Sequence, residues 1–179
     1  MSQNNLEQLI AGCRASDLTS QSKLYTMLYT EMMRVCVRYC TNEADAANLY
    51  NQAMLKVYNK IEQYNGQGSF NGWVKRVVIN TCLDYCRSNT SYKNQTWLPE
   101  MQANQVKVAP TAHSNMEANS IMALVQQLPK NTAAVFNLYA IDGYKHGEIA
   151  QLLGISEGTS KWHLNEARKQ LKIKLENLL

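Results

Sequence analysis

Long apolar runs are missing from this chain of 179 residues: the longest, Ile121 to Val125, has five, where a membrane-spanning helix needs roughly 18 or more. Its first residues, MSQNNLEQ, carry neither the positive nor the apolar segment of a secretory signal, so the sequence predicts a cytoplasmic protein. Charge is sparse at 18%, yet hydrophobic residues reach 45%, which excludes the composition of a disordered chain. The length suits one ordinary domain or two small helical ones and is too short for a multidomain enzyme with a large cleft. The five cysteines, Cys13, Cys36, Cys40, Cys82 and Cys86, are an odd number without the spacing of a secreted disulfide framework. The i, i+4 pairs Cys36/Cys40 and Cys82/Cys86 make a four-thiolate zinc site conceivable. They lack the Cys-x2-Cys knuckles of structural zinc, however, and read as core residues, so no metal or cofactor is expected. Nor does the sequence tie any of its three histidines, His113, His146 and His163, to a cysteine, and no phosphate loop appears. An enzyme with a small-molecule substrate is not expected.

What is present is helical periodicity. Leu6, Leu9, Ile10 and Cys13 share one face, and Leu24, Leu28, Met32, Val35 and Tyr39 share another. A third helix, capped by Thr41 or Asn42, buries Leu49, Ala53, Val57 and Ile61 before the turn Asn65-Gly66-Gln67-Gly68. Ser69 caps a fourth, with Phe70, Trp73, Val74, Val77, Val78, Cys82 and Tyr85 inward. From about residue 94 to 114 the period dissolves into polar and small residues with Pro99 and Pro110. It resumes at Ile121, Leu124, Val125 and Leu128, breaks at Pro129, and returns at Val135, Leu138 and Tyr139 until Asp142-Gly143. No stretch alternates like a strand. The expected fold is all-α: two small helical modules, residues 1–93 and 115–179, joined by a flexible linker, 94–114, with a helix-turn-helix in the second.

That helix-turn-helix is carried by Lys145-His146-Gly147-Glu148-Ile149-Ala150-Gln151-Leu152-Leu153-Gly154-Ile155-Ser156 and a longer helix burying Leu164, Ala167, Leu171, Leu175 and Leu178. Ala150 suits a close helix crossing, Gly154 a positive φ, and Ser156 a cap on the following amides. In such a motif the second helix enters the major groove through its N-terminal half. Its candidate contacts here are Lys161, Trp162, Asn165, Arg168 and Lys169, with Glu157 beside them. The bland alternative is a solvated face on an ordinary bundle; the basic bias favours DNA.

A second basic segment joins Tyr64, Phe70 and Trp73 to Lys75, Arg76 and Asn80. Aromatic faces with cations suit single-stranded bases, since stacking contributes roughly 1–3 kcal/mol per base and the cations neutralise phosphates. Phe70 and Trp73 also fit the buried period of their helix and are expected in the core; Lys75, Arg76 and Asn80 are not.

Two blocks resemble the extracytoplasmic-function (ECF) group of bacterial RNA polymerase sigma factors. The first runs from Asp45-Ala46-Ala47-Asn48-Leu49 through Gly66-Gln67-Gly68-Ser69-Phe70-Asn71-Gly72-Trp73-Val74-Lys75-Arg76 to Asp84-Tyr85-Cys86-Arg87. The second runs from Leu128-Pro129 through Glu148-Ile149-Ala150 and Leu153-Gly154-Ile155-Ser156-Glu157-Gly158-Thr159-Ser160-Lys161 to Ala167-Arg168. Many regulators share the second block; the first makes the resemblance specific. It implies a region 2-like module that binds core polymerase and melts the minus-ten element, and a region 4-like module that reads the minus-thirty-five element. By resemblance the polymerase clamp helices meet Asp45, Asn48, Leu49, Gln52 and Leu55. Tyr64, Ser69, Lys75, Arg76 and Asn80 hold unpaired DNA, and an anti-sigma factor, commonly membrane-anchored, is a further partner.

The sequence also departs from the group. Asn48 and Gln52 stand where the docking helix is usually acidic, leaving contact to hydrogen bonds and apolar packing around Leu49, Tyr50 and Leu55. His163 and Glu166 replace frequent arginines, and Glu166 would repel phosphate, although a carboxylate can accept from cytosine. The competing reading is a stand-alone helix-turn-helix regulator acting without polymerase, marked by tight duplex binding on its own.

Overall fold

The computed structural model describes residues 3–40, 42–91 and 116–176. All regular structure among them is helical, and two compact units, Met1–Arg87 and Ser88–Leu179, are distinguished. The expected 94–114 linker and Leu178 lie outside the described residues. Among the described residues no helix is long and apolar enough to cross a membrane, and no group of three or more His, Cys, Asp or Glu is arranged to hold a metal.

The first unit is built from α1 (Gln3–Arg14), α2 (Leu18–Val37), α3 (Glu43–Lys60), a 3-10 turn (Ile61–Gln63) and α4 (Phe70–Ser91). Asp17 starts α2 by accepting from the Ser20 amide at 2.8 Å and its hydroxyl at 2.6 Å, which satisfies an end that helices leave open. At Gly12 the helices α1 and α2 come so close that a Cβ would collide with the Ser20 side chain. Asn42, one of the two expected caps, starts α3 by accepting from the Asp45 amide at 2.8 Å. The core is Leu24, Leu28, Met32, Leu49, Met54, Val57, Val74 and Val78 with Tyr50 at its centre, all 1% exposed or less. Burying each large side chain stabilises by about 1.5–3 kcal/mol. Tyr50 is tolerated there because its hydroxyl donates to the Tyr25 carbonyl at 2.7 Å. Ile79 and Leu83, absent from the expected apolar face of α4, are buried too, while Trp73, Val77 and Tyr85 are only half-buried.

The second unit comprises α5 (Met116–Gln126), α6 (Lys130–Phe136), a π-helical turn (Asn137–Ile141), α7 (His146–Leu153) and α8 (Glu157–Glu176). Leu124, Val125 and Leu128 pack on Ala167 and Leu171 of α8. The π turn is marked by the Asp142 amide donating to the Asn137 carbonyl, five residues back, at 3.0 Å. Leu175, expected inside, is 39% exposed, one turn beyond the last partners of α8.

Candidate nucleic-acid interface

In the first unit the residues between α3 and α4 form a loop held at several points. Asn65 accepts from the Gln67 amide at 3.1 Å, and Gly66 and Gly68 take positive φ (81° and 77°), which a side chain would resist. The Tyr64 hydroxyl donates to the Gly68 carbonyl at 2.9 Å, and Arg14 of α1 donates to the Tyr64 carbonyl at 2.6 Å. Ser69 caps α4 by accepting from the Gly72 amide at 3.1 Å. The rings of Tyr64, Phe70 and Trp73 form a mutual cluster with centroids 5.1–5.7 Å apart. Phe70 is buried as expected, whereas Trp73 is half out, its ring turned to Tyr64 at the rim. Beside the loop lies an open cleft of about 910 Å³ with Glu7, Arg14, Glu62, Asn65 and Asn71 on its walls. Arg76 and Asn80, four apart on α4, are exposed and Lys75 is half-buried. Stackable rings, amide donors and cations therefore share one end of this unit.

The expected docking residues on α3 split between two faces. Asn48, Gln52 and Leu55 are exposed, Leu55 by 62%, and Asn51 joins them to complete an uncharged i, i+3, i+4, i+7 stripe. Leu49, assigned to the same surface, is 1% exposed and is a core residue, as is Tyr50, so neither offers a partner anything. Asp45 is half-buried and serves the start of its own helix, accepting from the Asn42 side-chain Nδ2 at 2.9 Å and the Tyr85 hydroxyl at 3.3 Å. Sequence reasoning missed Asn51, which accepts from the Tyr25 hydroxyl at 2.7 Å, and Tyr29, packed edge-on to Tyr50 and still 41% exposed. The 3.6-residue period alone separates Leu55 from Leu49.

In the second unit Gly154 ends α7 in the left-handed region (φ 66°), and Ser156 starts α8 by accepting from the Thr159 amide at 3.0 Å. Ser160, Leu164, Ala167 and Leu171 face inward. Lys161, Trp162, Asn165, Arg168 and Lys169 are all exposed, Trp162 by 59%, so every expected contact on this helix lies on its open side. Two imidazoles brace that helix from beneath. His146 of α7 meets the fully buried Ser160 hydroxyl at 2.9 Å with Tyr139 stacked on its ring, and His163 meets the Thr132 hydroxyl at 3.0 Å. Burial holds His163 below the usual histidine range. Trp162 stands edge-on to His163, centroids 4.9 Å apart. His163 thus points toward α6 rather than outward, and Glu166 is half-buried and accepts from Gln170 within α8 at 2.7 Å. No sequence signal announces these braces, because hydrogen bonds across 14 and 31 residues leave no period.

Residues 24–92 match the family description "Sigma-70 region 2" and residues 118–171 match "Sigma-70, region 4". The chain is 27% identical over 143 residues to the ECF RNA polymerase sigma factor SigE of Mycolicibacterium smegmatis, a stretch covering 78% of this chain and 55% of that protein. It is 21% identical over 183 residues to the ECF RNA polymerase sigma factor SigW of Bacillus subtilis, covering 97% and 98%. Among solved structures its fold is similar to the sigma factor RpoE bound to the anti-sigma factor NepR from Bartonella quintana (TM-score 0.62, 14% identity, 87% and 96% covered). It is also similar to CnrH in complex with the cytosolic domain of CnrY (TM-score 0.54, 16% identity, 94% and 96% covered).

Proposed function

Because this chain belongs to the ECF group of the sigma-70 family, we propose that it is an alternative sigma factor that brings core RNA polymerase to particular promoters and opens them. The observation that carries the reading is the pair of nucleic-acid-type surfaces in separate units, one rich in aromatic rings and one cationic. Tyr64, Ser69, Lys75, Arg76 and Asn80 take the unpaired strand, the half-exposed Tyr64 ring stacking on a base and the cations meeting phosphates. Lys161, Trp162, Asn165, Arg168 and Lys169 enter the major groove of the upstream element, the cations toward guanine or phosphate and the amide toward adenine. Asn48, Asn51, Gln52 and Leu55 dock on polymerase through hydrogen bonds and apolar contact. One solved relative in fold is a sigma factor in complex with an anti-sigma factor, which supports an anti-sigma partner for this chain as well. The reading assigns the chain no reaction of its own.

In vitro transcription with purified core polymerase and a promoter pool tests it. New start sites appear only with this protein, and neutralising Lys161 with Arg168, or Lys75 with Arg76, removes them, a cation that contacts a base being worth about 1–3 kcal/mol and one that meets phosphate weakening binding to all sequences alike. If no transcript forms while the chain alone binds a duplex tightly, the stand-alone regulator is correct instead.

A further inference from the structure

The loop between α3 and α4 is gripped through Tyr64 from two sides. Tyr64 closes the 3-10 turn, its amide donating to the Ile61 carbonyl at 3.2 Å, so its own carbonyl belongs to the end that a helical turn leaves open. Arg14, in the last turn of α1, donates to that carbonyl from Nη2 at 2.6 Å, and its Nε faces the Glu62 carboxylate at 3.7 Å. The carbonyl is at the surface, where water serves nearly as well, and the Arg14–Glu62 pair is exposed on both sides, so neither contact adds much to stability. What a guanidinium supplies and water does not is a fixed position. Its helix is firmly anchored: Leu9, Ile10 and Cys13 are buried, α1 closes on α2 at Gly12, and the Gly12 carbonyl accepts from the Asp17 amide at 2.9 Å. On the other side of Tyr64 the hydroxyl reaches Gly68, and the half-exposed ring packs on Phe70 and Trp73. The grip therefore comes from a helix that lies outside the residues matching region 2.

We propose that Arg14 is a positioning residue for strand capture: from α1 it fixes the main chain of Tyr64 and so presets the ring for the base it stacks on. This role rests on Tyr64 taking the unpaired strand, as proposed above; the grip on the loop does not. A ring held in place before the strand arrives spares binding the cost of ordering it. Arg14 acts through Tyr64 rather than on DNA, its guanidinium being engaged by the Tyr64 carbonyl and Glu62. It thus differs from Lys75 and Arg76, whose proposed partners are phosphates.

Two measurements test it. In the free chain, millisecond hydrogen exchange should show the Tyr64 and Gln67 amides, both hydrogen-bonded within the loop, exchanging about fivefold to tenfold faster in Arg14→Ala, with α2 unchanged. Holoenzyme rebuilt with core polymerase is then bound to a fork template whose non-template strand is unpaired over the minus-ten element. Arg14→Ala should weaken that binding about fivefold to tenfold and leave its log–log salt slope and the binding of an upstream duplex fragment as they were. Arg14→Lys, which keeps a donor, should restore most of the loss. Added to Tyr64→Ala, Arg14→Ala should cost less than about twofold more, because both act through one ring. Unchanged exchange at Tyr64 and Gln67 overturns the proposal whatever the chain binds. Full additivity with Tyr64→Ala, or a salt slope lower by about one unit, overturns it as well, since Arg14 then meets DNA itself. A parent holoenzyme that does not bind the fork overturns the proposed function and this role together.

Discussion

The Met1–Arg87 unit steadies its exposed loop with rings, Tyr64 against Phe70 and Trp73, while the Ser88–Leu179 unit steadies its exposed helix with two imidazole–hydroxyl hydrogen bonds. Ring packing is broad, non-directional and indifferent to protons; an imidazole brace is directional and titratable. The surfaces differ in the same sense. The α3 stripe of the first unit is uncharged, and α8 of the second presents Lys161, Arg168 and Lys169. One chain thus combines a face whose contacts resist salt and pH with a face whose contacts respond to both.

The largest test of that division is whether each unit stands on its own core. Leu28 is 1% exposed in the first unit and Leu138 fully buried in the second. Leu28→Ala and Leu138→Ala should each cost about 2–5 kcal/mol in the unit that carries them. Each should leave the other within about 0.5 kcal/mol, as distant sites do. Calorimetry reads this as one melting transition moving while the other stays. A single transition displaced by either substitution would mean that the units share one cooperative fold.

How much of this the sequence discloses also differs between the units. The apolar periods of α2 and α3, the Gly66/Gly68 turn and the Gly154-Ser156 corner are written locally, in three- and four-residue spacings and in residues that positive φ or a cap demands. The open side of α8 follows from the same arithmetic, since Leu164, Ala167 and Leu171 fix which side is closed. Leu49 fails because a family resemblance marks a segment, and only the helical period says which of its residues face out. Trp73 fails for a different reason: its spacing from Phe70 is that of a core residue, but it lies at the rim, where the core ends. The π turn and the histidine braces are tertiary matters with no local pattern behind them.

Salt sharpens the contrast between the surfaces at a smaller scale. Removing one phosphate-contacting cation, as in Lys169→Ala, should flatten the salt dependence of promoter binding by the holoenzyme by about one unit of log–log slope. Gln52→Ala should weaken polymerase binding by a similar factor at every salt concentration, because no charge is removed from α3. Titrations at several ionic strengths separate the two. A polymerase affinity that falls steeply with salt would show that charges elsewhere dominate docking and that the α3 stripe is not its main contact.

The smallest effect is the one that proton concentration draws between the units. The two histidines among the described residues, His146 and His163, belong to the second unit. His163 is held below the ordinary value of 6.5 by burial. The unfolded chain therefore takes up that proton first as pH falls, so the stability His163 contributes is complete above about 6.5 and declines below it, toward its folded value. Asp17 in the first unit has the opposite chemistry and the same direction. Hydrogen bonds from the Ser20 hydroxyl and amide hold its carboxyl below 3.8, so its contribution is complete above that value and is lost only as pH falls through the lower folded value. Between about pH 6.5 and pH 4.5 the second unit should weaken while the first does not, which thermal melts at stepped pH resolve. His163→Gln keeps a partner for Thr132 and removes the titration, so it should flatten the pH response of the second unit without touching the first. Parallel weakening of both units, or a slope that survives in the glutamine variant, would place the proton uptake elsewhere and leave the His163 brace a packing contact.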